Sequence, residues 1–205
     1  MFNSYSSDYA NQVHQLSISV SKHYWVTKDE IVKYQKKPFE ERLVTLGTSP
    51  KAHLVLYVVR DHFSGLFYSK AAASSSLISP LDFLLDAWAD KSDFVFCGLP
   101  AYVSIPDTIE AAFPGTRQAV SALGVDTPKV TSGFHGGIRD IRTIEDRLGS
   151  SHNQPLEAAK RNCLHIGKHS EREICRDSHR TKAEVWATHR HHHRSHGQQP
   201  SNSID

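Results

Sequence analysis

Acidic and basic side chains crowd one short stretch of this 205-residue chain, Gly133 to Leu148. It reads Gly-Phe-His-Gly-Gly-Ile-Arg-Asp-Ile-Arg-Thr-Ile-Glu-Asp-Arg-Leu, a glycine-rich loop opening onto a helix that carries Asp140 and Glu145. Upstream, two strand-like segments each end near an aspartate, Asp61 and Asp107. Carboxylates delivered from strand ends and one helix are hard oxygen ligands, the set that gathers divalent metal for phosphodiester chemistry. Asp61, Asp107, Asp140 and Glu145 are therefore the candidate acids. The same helix holds Arg139 and Arg142 one turn apart, with Lys129 upstream, a spacing that suits a track of DNA phosphates. Asp140, Glu145 and Asp146 interleave with these cations, so a solvated mixed-charge face is expected ahead of a phosphate track.

Other chemistries have less to stand on. Cys163, His165, His169, Cys175 and His179 are zinc-ligand types. Their spacing fits no common finger, and few apolar residues surround them to build a finger core, so zinc is not expected. Cys97 lies in the apolar run Phe94-Val-Phe-Cys and reads as a buried structural thiol. No nucleophile-elbow, phosphate-loop or dinucleotide fingerprint is present.

The elements that must carry the acids follow from periodicity. Thr27 with Glu30 fits a capping box, so a helix is predicted over 28–35, ended by Pro38. Arg42 to Leu46 reads as a short strand. His53 to Val59 is a near-continuous apolar run, as in a strand covered on both faces, and Asp61 follows it. After the turn at Ser64-Gly65, Leu66 to Ala71 returns as its hairpin partner. Ser79 caps a helix to Ala89, with Leu81, Leu84, Leu85 and Trp88 as its apolar stripe. Tyr102 to Ile105 is a strand leading to Asp107, Thr116 to Leu123 a helix, and Val125 to Thr131 a last edge strand. Ile138 to Leu148 is a closing helix with Ile138, Ile141, Ile144 (or Glu145) and Leu148 on one face.

Composition bounds the rest. Net charge is only +2, so binding to polyanions is not legible from overall charge. No run is long and apolar enough for a membrane span, and no secretory leader is visible at Met1 to Ser7. Three cysteines give no disulfide framework, which points to the reducing cytoplasm. Beyond residue 150 the only aromatic is Trp186, and 9 of the 14 histidines lie there. Such a segment is expected to be a disordered tail, because it buries too little apolar surface to offset its ordering entropy. The loss of periodicity after about Leu164 also fits translation in a shifted frame appended to a truncated core. Three regions result: a helical or irregular extension over 1–41, a core over 42–149, and a His/Arg-rich tail over 150–205.

Three motifs in this order resemble the catalytic core of retroviral-type integrases and DDE transposases. The first is Leu54 to Gly65, an apolar strand ending in Asp61. The second runs from Gly98-Leu-Pro100 through Ile105-Pro-Asp107 to Phe113. The third is Leu123-Gly-Val125 followed by Gly136-Gly-Ile-Arg-Asp140. The resemblance covers roughly residues 42–149. It implies an α/β, ribonuclease H-like mixed sheet flanked by helices. It also implies DNA as partner, Mg²⁺ or Mn²⁺ as cofactor held by the catalytic acids Asp61, Asp107 and Glu145 (or Asp140), a homo-oligomer, and a role in DNA integration or recombination. In the family the first catalytic acid lies on the first strand, yet Leu43 to Leu46 has none. Asp107 is followed by Thr-Ile rather than Asn-Gly, and Asp140 stands at the family's glutamate position. Two readings stay open. One is a DNA integration or transposition polynucleotidyl transferase, active or degenerate. The other is a non-catalytic nucleic-acid or protein interaction module that keeps the fold without the metal site.

Overall fold

Strand structure begins earlier than the sequence suggested. In the computed structural model, which describes residues 7–47, 50–128, 136–149 and 153–177, Val13–Val26 forms a long strand, β1. Leu16, Ile18 and Val20 alternate there with Ser17, Ser19 and Ser21, the period-two pattern of a strand with two unlike faces. The segment 1–41, expected to be a helical or irregular extension, therefore supplies the middle of the sheet. The predicted helix over 28–35 is instead a turn followed by β2 (Ile31–Tyr34). Thr27 does cap, but it caps a turn. Its Oγ1 accepts from the Ile31 N–H at 3.1 Å, its own N–H donates to Ile31 O, and Glu30 adopts φ 55°. Side-chain hydroxyls that bond nearby backbone serve turns as readily as helix starts. The expected strand over 42–46 is a single 3-10 turn, Leu43–Thr45.

The apolar run reads correctly. β3 (Ala52–Asp61) pairs with β4 (Phe67–Ala73) as an antiparallel hairpin, and Leu54 through Val59 have no exposure at all. Then come α1 (Pro80–Trp88), β5 (Tyr102–Ser104), α2 (Asp107–Ala112), α3 (Thr116–Ser121), α4 (Gly136–Leu148), β6 (Gln154–Pro155) and α5 (Leu156–Asp177). The sheet runs β4-β3-β1-β2-β6, with β5 joined to β1. β1 meets β3 along one edge. Along the other it meets β5 near its start and β2 near its end, a register shift between Val20 and Trp25 separating its two halves. All ladders are antiparallel except β1 with β5, which is parallel. The expected strand over 125–131 is reduced to one parallel bridge, Asp126 with Tyr102; residues 129–131 lie outside the described residues.

The fold is thus α/β, with helices on both faces of one sheet. Alternate residues of β3 feed two cores. Val55, Tyr57 and Val59 pack with Phe83, Leu84, Ala87 and Trp88 of α1, Ile109 of α2 and Val120 of α3. Leu54, Leu56 and Val58 pack with Ile141, Ile144 and Leu148 of α4 and Leu156, Ala159, Cys163 and Ile166 of α5. Each such aliphatic side chain contributes about 1.5–3 kcal/mol by leaving water. Ser79 caps α1 as expected, accepting from the Asp82 N–H at 3.0 Å. The buried stripe of α1 is rotated from the expected one: Phe83 and Ala87 turn inward and Leu85 is 43% exposed. On α4, Ile141, Ile144 and Leu148 turn inward as read, while Ile138 is 48% exposed. The expected disordered tail over 150–205 is corrected through Asp177. α5 buries its own apolar side chains against β4 and α4, and the chain after Asp177 lies outside the described residues.

Candidate functional site

Strand alternation decides which acids can meet. His14, Asp61 and Val103 are register partners across β1, β3 and β5, and so share one face. Gln15, Arg60 and Ser104 are the next row and face the other way. α4 covers this second face. There Arg60 Nη1 donates to both carboxylate oxygens of Asp140, at 2.7 and 2.9 Å. Gln15, Ser104 and Asp140 are all buried. Burial raises the Asp140 carboxyl above its ordinary value, and the Arg60 guanidinium opposes that shift. Five residues further along α4, Glu145 accepts from Ser21 Oγ at 2.6 Å. The helix lies close to the strand here: a Cβ placed on Gly137 would overlap Ser17 Oγ and sit 2.7 Å from Ser17 Cβ.

Asp61 occupies the opposite face, in a polar cluster beside α1. Trp88 Nε1–H donates to His14 Nδ1 at 3.0 Å, so His14 carries its proton on Nε2, which donates to Asn11 Oδ1 at 2.8 Å. The Asn11 N–H donates to Asp61 Oδ1 at 3.0 Å, and the Ser64 N–H and hydroxyl both donate to Asp61 Oδ2. Asn11 Nδ2 closes the cluster on the Cys97 carbonyl. Burial raises the Asp61 pKa, against these hydrogen bonds. The carboxylate ties the start of β1 to the β3–β4 turn, a structural task.

Asp107 begins α2. Its side chain is 85% exposed and accepts from Arg117 Nη2 at 2.5 Å. The predicted quartet of Asp61, Asp107, Asp140 and Glu145 is therefore dispersed: each has its own protein partner, and Asp61 is separated from Asp140 and Glu145 by the sheet. Among the described residues no three His, Cys, Asp or Glu side chains group closely enough to hold a metal ion. The donors beside Asp140 are an amide, hydroxyls and an arginine, which do not fit Mg²⁺ or Mn²⁺.

Of the expected phosphate contacts, Arg139 and Arg142 are exposed on α4, and Lys129 lies outside the described residues. Of the zinc-type residues, Cys163 is a core thiol pushed up to about 12 by burial, while His165 is exposed. The side chains of His169 and Cys175, and all of His179, lie outside the described residues. Cys97 is partly exposed rather than buried, with its thiol shifted up by partial burial. No described helix is long and apolar enough to cross a membrane.

Arg60, Gln15, Ser17 and Ser104 were missed as site residues. The Leu-Ser-Ile-Ser-Val-Ser alternation at 16–21 was the available signal for the strand that presents Gln15 and Ser17. A scan against protein-family models returns no match, and neither does a search of the curated proteins.

Proposed function

We propose that this chain is a ribonuclease H-like module of the integrase and transposase type that retains the fold, lacks the metal cage, and binds DNA without cutting or joining it. The strand arrangement supports the fold reading: three antiparallel strands, β4-β3-β1, continue into a parallel β5, with Asp126 bridging in parallel beyond it. The observation that carries the functional reading is the Arg60–Asp140 pair. In the resemblance, Asp140 stands where the helix carboxylate belongs, and the neighbouring rows of β1 and β5 would supply the other acids. Those rows present Gln15, Ser17 and Ser104 instead. An arginine salt bridge already neutralises Asp140, and Glu145 further along α4 is engaged by Ser21, so a divalent cation would have to displace Arg60 to reach a carboxylate on these rows. Phosphate contact would fall to Arg139 and Arg142, which are exposed on α4 together with Asp146.

The test combines purified full-length protein, labelled DNA ends and a plasmid target, in Mg²⁺ or Mn²⁺. No joined or nicked product is expected. DNA binding should survive chelation and Asp107→Asn, and should weaken in Arg139→Ala/Arg142→Ala. Strand transfer that disappears on Asp107→Asn would restore the enzyme. Protein that ignores DNA altogether would favour the protein-interaction alternative.

A further inference from the structure

A second cationic surface lies on the hairpin of β1 and β2, whose Trp25–Lys33 row faces away from the α4 side occupied by Tyr24 and Val26. Residues 22–51 carry seven cations (Lys22, Lys28, Lys33, Lys36, Lys37, Arg42 and Lys51) against four acids, a net of +3; with +2 overall, the remaining residues sum to −1. Backbone bonds bring most of these lysines together. The Gln35 N–H donates to His23 O and the Phe39 N–H to Lys22 O, so Lys36 to Pro38 loop out beside β1 and return to it. Lys33 is the register partner of Trp25. Lys51 Nζ sits 4.6 Å from the centre of the Trp25 ring and 5.7 Å from that of Phe39, and donates to Gln35 Oε1 at 3.1 Å. Lys22, Lys33, Lys36, Lys37 and Lys51 are all exposed, as is Tyr34; the rings of Trp25 and Phe39 are half-buried. Of the four acids in this segment, Asp29 and Glu30 are exposed at the hairpin turn, Glu40 is exposed beside Phe39, and Glu41 sits against buried His53.

We infer that this hairpin binds a single-stranded polynucleotide. Phosphates would follow Lys22, Lys33, Lys36 and Lys37. One base would stack on Trp25 in the place now taken by the Lys51 ammonium, whose flexible stem lets it move to a phosphate. Cations interleaved with aromatic rings suit unstacked bases, because every base has a π-face and a duplex hides it. The inference does not rest on Arg139 and Arg142, which stand on a different element.

The experiment titrates full-length protein into a fluorescein-labelled oligothymidylate and a duplex of equal length, by anisotropy, at several salt concentrations. The single strand should bind more tightly than the duplex. Lys36→Gln and Lys37→Gln lie on an exposed loop and leave the fold alone. Each should reduce the slope of log affinity against log salt by about 0.7. Trp25→Leu should lower single-strand affinity on the order of tenfold with little change in slope, and Trp25→Phe should recover most of it. Arg139→Ala/Arg142→Ala should leave single-strand binding nearly unchanged, which separates this surface from α4. A wild-type salt slope in the Lys36→Gln/Lys37→Gln double variant, or equal affinity for duplex and single strand, would overturn the inference.

Discussion

Arg60 and Asp140 illustrate how one ion pair can both hold a structure and exclude a chemistry. The pair is bidentate and largely withdrawn from water, so breaking it from one side leaves a charge without its partner. Arg60→Met should destabilise the fold at neutral pH by about 3 kcal/mol. The loss should depend on pH in a defined direction. Burial already lifts the Asp140 pKa above the value of 3.8 that applies when exposed. Removing the guanidinium lifts it further, so the folded variant binds a proton more readily than the unfolded chain does. Stability from that proton is fully present below the unfolded value and is lost as pH rises through the folded value. Urea denaturation of Arg60→Met should therefore approach wild type near pH 4 and diverge towards pH 7. A deficit that stays constant across this range would mean that lost packing, not stranded charge, is responsible. In the sequence, Asp140 was visible as an acid of interest, but Arg60 was overlooked beside Asp61. Nothing in a linear string announces which of two adjacent strand residues faces the helix until the register is known.

At the level of elements, β1 and α4 define the candidate site by how closely they approach. Gly137 stands where α4 comes nearest β1, and its lack of a side chain permits contact with Ser17. Gly137→Ala should cost about 1–3 kcal/mol, as overpacking does, despite alanine's better helix propensity. Ser17→Gly, which vacates the space, should restore much of the loss in the double variant although it weakens the wild type. Thermal melts of the four proteins measure this coupling, and additive effects would show that the helix moves aside freely. Legibility divides along physical lines here. β3, α1 and α4 were readable because long apolar runs and caps are local signals. β2 was misread because Thr27 and Glu30 satisfy a helix cap and a hairpin turn with the same atoms. β1 was missed because its serines make the segment look polar, although their alternation with Leu16, Ile18 and Val20 carries the strand period.

For the molecule as a whole, the sheet is closed by parts far apart in the chain. The core expected over 42–149 omits β1, which lies between β3 and β2 and is the strand to which β5 attaches. It also omits α5, whose Leu156, Ala159, Cys163 and Ile166 cover Leu54, Leu56 and Val58. A Cβ on Gly167 would come 2.6 Å from the Phe67 carbonyl oxygen, so α5 lies directly on β4 as part of the domain. The amphipathic period of α5 was outweighed in the sequence by the histidines and arginines that follow it. A fragment of residues 42–149 would expose the edge of β3 that β1 covers and the part of the apolar face that α5 covers. Its loss of buried surface far exceeds the roughly 5–15 kcal/mol by which domains of this size are stable. That fragment should be aggregated or unfolded by circular dichroism, whereas the full-length chain should melt cooperatively. Cooperative unfolding of the 42–149 fragment would mean that β1 and α5 are accessories rather than the centre and cover of one core.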